Sequence, residues 1–213
     1  MLQSERPAQK RYPNGHSPTK AADDDKRRVL EMCVKQIIDL IDEDPERDGL
    51  RDTPKRVARW WMDFANFDPG TYDTVFDSVE AGQQVTVSGI RVWSLCEHHL
   101  LPFYCDLSVS YRCDRHIIGL SKVARIANKC AHRLQVQERL VVDVAEELKR
   151  AIKTPDVAVI GSGVHLCMLM RGVQKAALMT STHYGGVFAT EPGQLTTLLE
   201  SHRQCYANQG MAR

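Results

Sequence analysis

Cys96, Glu97, His98 and His99 stand in a row where an apolar run ends, directly before Leu100-Leu101-Pro102. Cys96 and His99 are three residues apart, so a turn at a strand end aims a thiol and an imidazole at one point. Those donors suit zinc, but two ligands do not fix a metal site. A second run supplies a third. Between Val164 and Arg171, Val164, Leu166, Met168 and Met170 share one parity, while His165, Cys167 and Arg171 share the other. Read as a strand, the run has one greasy face and one face presenting imidazole, thiol and guanidinium. A half-exposed strand with incidental polar residues would alternate in the same way. Together Cys96, His99 and Cys167 make two thiolates and one imidazole. Three protein ligands leave the fourth tetrahedral position to water, as in a catalytic rather than a structural zinc site. A metal so held brings the pKa of its water toward ~7. His98 and His165 remain as candidates for proton transfer, or as histidines that only orient a ligand.

Two further clusters bear on anions and bases. In Gly119 to Arg125, Ser121 is placed to cap a helix whose first turn carries Lys122 and Arg125. Free backbone N–H groups and two cations there favour phosphate, although a solvated helix face explains the cations equally well. The same two readings apply to Arg56 and Arg59. Glu138 opens a long amphipathic helix, where a carboxylate is favoured whatever its function. It also has the chemistry to accept two hydrogen bonds from the N1–H and amine edge of guanine.

The elements that must hold these residues follow from periodicity. Residues 1–25 are rich in Pro, Ser, Lys and Asp and read as a disordered or partner-ordered tail. Leu30, Val34, Ile37, Ile38 and Ile41 predict a helix from Lys26 to Asp42. Thr53-Pro54 starts a second helix with Val57, Trp61 and Phe64 inward, and residues 26–70 form an N-terminal helical segment. Residues 71–213 then read as one larger part. Strands are predicted around 85–93, 107–111, 157–170 (interrupted by Gly161-Ser162-Gly163) and 179–188. Helices are predicted at 121–130, 136–153 and 194–205. The pattern indicates an α+β protein with helices on one face of an antiparallel sheet.

Composition narrows the function classes. A formal net charge of +1 over 213 residues provides no global field for nucleic acid or an anionic membrane. No window approaches the ~20 apolar residues of a membrane span, and the N-terminus lacks the apolar core of a signal peptide. The expected location is cytoplasmic. Seven cysteines are an odd, scattered set, expected to be free thiols or ligands; Cys33 and Cys130 read as small hydrophobes on helix faces.

Four blocks carry a resemblance to a known family. Ser94–Phe103, Ile118–Lys122, Arg133–Leu140 and His165–Met168 resemble the signature blocks of GTP cyclohydrolase I, in that family's order and spacing, over about Lys26 to Phe188. The resemblance implies a tunnelling fold, whose sheets join side by side into rings, with two pentameric rings usually stacked into a homodecamer. It implies zinc on Cys96, His99 and Cys167, and active sites between subunits. Gln137 and Glu138 would hold the guanine of GTP. Leu120, Ser121, Lys122, Arg125 and Arg171 would face the ribose and triphosphate, and Arg56 and Arg59 a neighbouring subunit's triphosphate. Zinc-activated water would attack C8, with His98 protonating N7 and His165 assisting at the ribose. Formate and 7,8-dihydroneopterin triphosphate would result, with no nicotinamide or flavin. Gln174 departs from the family pattern where a second basic residue often follows Arg171-Gly172. Cys105 replaces a common glycine, and Arg59 a usual lysine. Two rival readings are a tunnelling-fold reductase of a 7-deazaguanine nitrile and a zinc-stabilised binding protein without turnover.

Overall fold

The computed structural model describes residues 20–41, 43–72, 75–78 and 80–210, and the chain divides into two compact units, 1–66 and 67–213. Most of the tail expected over 1–25 lies outside the described residues, but its last six are helical. In the first unit, α1 spans Lys20–Leu40 and α2 spans Thr53–Ala65. The early start of α1 has a local cause: Asp23–Lys26, Asp24–Arg27 and Asp25–Arg28 pair at i,i+3 across its first turns. The two helices pack together around Ile38 and Ala58. Pro54 sits in the first turn of α2, where its missing N–H costs nothing. Cys33 is exposed rather than packed.

The second unit is built on a five-stranded sheet. Its strands are β2 (Gln84–Cys96), β3 (Pro102–Arg112), β5 (Leu134–Gln135), β6 (Val157–His165) and β7 (Met179–Tyr184), in the order β5-β2-β3-β6-β7. All pairs are antiparallel except the short β2/β5 contact. A separate ribbon pairs β1 (Val75–Asp77) with β4 (His116–Ile118). Gly161 and Gly163, expected to interrupt a strand, lie inside β6. An added Cβ at Gly161 would stand 2.7 Å from Cys105 Sγ, and one at Gly163 would stand 2.2 Å from Tyr104 O. Cys105 in place of a smaller residue is therefore matched by a glycine across the sheet.

Side-chain alternation gives the sheet two different faces. Cys105, Leu107, Val109 and Tyr111 of β3 are fully buried against α3 (Leu120–Ala131) and α4 (Gln137–Ile152). Burial pushes the Cys130 thiol up to about 12 and the Cys105 thiol up as well, so both are inert fillers. The opposite face also carries helix. After β7 come α6 (Val187–Thr190), a 3-10 turn (Pro192–Leu195) and α7 (Thr196–Gly210); Phe188, Leu195 and Leu198 cover Ala158 and Ile160 there. Helices thus occupy both faces, with the two long inserted helices on one.

His202 pins α7 to that second face. Its Nδ1 lies 2.8 Å from Ser108 Oγ and its Nε2 2.8 Å from Ser162 Oγ. Burial holds its pKa below the usual histidine value, with Asp106 opposing. A group depressed in the folded state favours folding above its unfolded pKa near ~6.5. That contribution fades as pH falls from there through the folded value. The melting temperature is therefore expected to fall between pH 7.5 and 5.5, and to fall less in His202→Gln. His165 and His183, also depressed by burial, keep part of the slope in the variant.

Candidate metal centre

The cysteine–histidine row ends β2 and turns sharply into β3. Leu100 N–H donates to Cys96 O at 2.8 Å, and Cys96 N–H donates to Leu101 O at 2.8 Å. Closing the turn puts Leu100 at φ 55°, a left-handed conformation costing a leucine roughly 1–2 kcal/mol. Such strain persists only where the surroundings impose it. Here it turns the His99 ring back toward Cys96, bringing His99 Nδ1 within 3.9 Å of Cys96 Sγ. Glu97 clips the turn to the elements behind it. Its N–H donates to Gln135 O at 3.1 Å, and its carboxylate pairs with Arg139 at 2.7 Å. Hydrogen bonding from Arg139 lowers the Glu97 pKa, against the desolvation that would raise it.

Cys167 reaches the same point from a different kind of element. The strand expected over 157–170 stops at His165, and Leu166–Leu169 form a single helical turn, α5. Cys167 therefore projects from a helical turn, and the alternation read over 164–171 does not describe its side chain. It converges nonetheless: a donor atom each from Cys96, His99 and Cys167 lie within 4.8 Å of one another. Cys96 is buried, Cys167 half-buried and His99 exposed, so the cluster opens to solvent on the histidine side. Burial raises the Cys167 thiol pKa, as do the hydrogen bond to Cys96 and its charge, while Arg171 opposes. Soft sulfur donors with one imidazole, three ligands and an open side fit a transition metal with a free coordination position.

The proton-transfer candidates flank this cluster. His98 is exposed, with Nδ1 3.9 Å from Cys96 Sγ. His165 ends β6, and its ring stacks on Phe103 at 4.5 Å and 7°. Burial lowers its pKa, and the charge of Glu138 partly restores it. Glu138 itself is exposed on the first turn of α4, whereas Gln137 beside it is fully buried. Arg171 contacts His99 Nε2, an arrangement that no local sequence pattern announced.

The remaining predicted residues belong to α3 in the second unit and α2 in the first. Leu120, Ser121, Lys122 and Arg125 gather at the start of α3, where Gly119 rather than Ser121 occupies the capping position. Arg125 donates to Thr71 O at 2.8 Å. Arg56 and Arg59 are exposed on α2 in the first unit, Arg56 lying 3.5 Å from Asp52. Gln174 is exposed with φ 48°. Sequence reasoning missed the Glu97–Arg139 clip and the Phe103 stack; both partners are visible as residues, but only the fold pairs them.

Comparison with known proteins adds a family signal to this geometry. The family model of GTP cyclohydrolase I matches residues 30–203. GTP cyclohydrolase 1 of Hyperthermus butylicus is 43% identical over 177 residues, covering 82% of this chain and 91% of its own. The enzyme of the same name from Sulfurihydrogenibium sp. is 44% identical over 157 residues, covering 73% and 83%. That of Enterococcus faecalis is 38% identical over 181 residues, covering 83% and 97%.

Proposed function

Because the chain belongs to the GTP cyclohydrolase I family, we propose that it is a zinc-dependent hydrolase converting GTP into 7,8-dihydroneopterin triphosphate and formate. The observation that carries this reading is the convergence of Cys96, His99 and Cys167 within 4.8 Å. Two thiolates and an imidazole are a zinc donor set, and three protein ligands leave a position for chemistry. Zinc held there supplies Lewis acidity and eases deprotonation of water near neutral pH.

The chain's own residues do the rest of the work. Glu138, exposed at the start of α4, accepts from the N1–H and amine edge of guanine and so sets which base binds. His98, exposed beside the cluster, delivers a proton to N7 of the opening ring. His165, whose neutral form burial favours, exchanges a proton at the ribose. Ser121, Lys122, Arg125 and Arg171 bind the ribose and triphosphate with Leu120 beside them, and Arg56 and Arg59 serve a neighbouring subunit's site. Residues 26–70 act as a helical segment and 71–213 as the catalytic part of a cytoplasmic homodecamer. No helix among the described residues is long and apolar enough to cross a membrane.

The nitrile-reductase reading is not favoured, since relatives covering most of the chain are named GTP cyclohydrolase 1 and both cysteines converge with His99. The deciding assay incubates purified protein with GTP and follows formate, pterin fluorescence and zinc per chain. A strong chelator is expected to reduce formate release by at least ~100-fold and added zinc to restore it. Zinc-loaded protein that releases no formate from GTP refutes the proposal.

A further inference from the structure

Gln137 is fully buried at the first position of α4, and every polar atom of its side chain is engaged. Its amide nitrogen donates to Gly161 O and to Met179 O, both at 2.9 Å. Backbone carbonyls only accept, so the atom facing them must be the nitrogen, and Oε1 is thereby assigned to the other side. Oε1 lies 3.1 Å from His165 Nε2. An amide oxygen only accepts, so Nε2 carries a proton, and in the neutral ring Nδ1 is the nitrogen without one.

The surroundings allow this arrangement little freedom. The His165 ring is held flat on Phe103, its register partner on β3. An added Cβ at Gly163 would lie 2.8 Å from Gln137 Oε1, so the glycine in mid-strand leaves room for the carboxamide. With both amide hydrogens committed to backbone carbonyls, the side chain has no donor left for a purine, and its oxygen, already accepting from His165, is fully buried.

We propose that Gln137 is a positioning residue, which holds the neutral His165 ring as its Nε2–H tautomer and so makes Nδ1 its proton acceptor, and that its side chain does not contact guanine. This rests on the reading of His165 as a proton-exchanging group. Outer partners of this kind typically matter by 10–100-fold. Neutron diffraction from zinc-loaded, deuterium-exchanged crystals at pH 8 is expected to show deuterium on His165 Nε2 and none on Nδ1; deuterium on Nδ1 overturns the inference. In zinc-loaded Gln137→Met, the Kd for GTP is expected to stay within about threefold of wild type, while kcat for formate release falls ~10–100-fold. Gln137→Glu, which keeps an acceptor for Nε2–H, is expected to recover part of that loss. A Kd weakened tenfold or more with kcat retained would instead make the carboxamide a base contact and overturn the proposal. Should Gln137→Met fail to fold, the wild-type neutron map decides alone. Should wild-type protein release no formate, the proposed function fails while the deuterium position still tests the tautomer.

Discussion

Cys167→Ala is expected to yield protein with far less than one zinc per chain and formate release below about one thousandth of the wild-type rate. Loss of a thiolate leaves one thiol and one exposed imidazole, too few donors to hold a catalytic metal. The metal's transition-state contribution of several kcal/mol goes with it, at 1.36 kcal/mol per tenfold in rate. Because Cys167 is only half-buried on a short helical turn, the fold should survive. Metal-free variant and metal-free wild type are therefore expected to melt within a few degrees of each other. His99→Ala is expected to behave alike and to free Arg171 as well. Zinc retention should also weaken as pH falls, since burial and Cys96 raise the Cys167 thiol pKa and the metal must displace its proton. Elemental analysis and a formate assay check both variants; full zinc and full turnover in either would remove that residue from the ligand set.

What could be read from residue order alone depended on the range of the interactions involved. Cys96 and His99 were legible as a pair because a tight turn is a local event, although the strain at Leu100 that closes it was not. Cys167 was found through an alternation that the fold does not use. The alternation holds only to His165, where β6 ends, and the helical turn that follows places Cys167 by a different geometry. Gly161 and Gly163 read as a break because local propensity disfavours glycine in strands. Their cause lies in Cys105, Tyr104 and Gln137, far away in sequence. The α+β tunnelling architecture was legible from periodicity and resemblance together. The placement of α7 on the second face was not, because it turns on the partners of His202 rather than on α7's own pattern. Gln137 shows the limit most plainly. Beside Glu138 at a helix start, it reads as a second base contact; its burial and its bonds to Gly161, Met179 and His165 come from the fold alone.

Glu138→Gln separates base recognition from the chemistry at the metal cluster. The side chain keeps its size and exposed position but loses its charge and exchanges one acceptor for an NH2 donor. Guanine offers two donors on this edge, so one of them now meets a donor. A hydrogen bond to a charged partner is worth about 1.5–3 kcal/mol, and KM for GTP is expected to rise roughly 10–100-fold, with zinc per chain unchanged. The discrimination should shift as well. Xanthosine triphosphate presents a donor and an acceptor on the same edge, which suits an amide, so the preference for GTP over it is expected to narrow in the variant. Glu138 also raises the pKa of His165 against burial. Without that charge, the His165 pKa falls further and the acidic limb of kcat moves to lower pH. Steady-state kinetics with both triphosphates across pH 5.5–8 read all three effects. Unchanged KM, unchanged discrimination and an unmoved acidic limb would remove Glu138 from the base site and leave it as a charge that merely favours the start of α4.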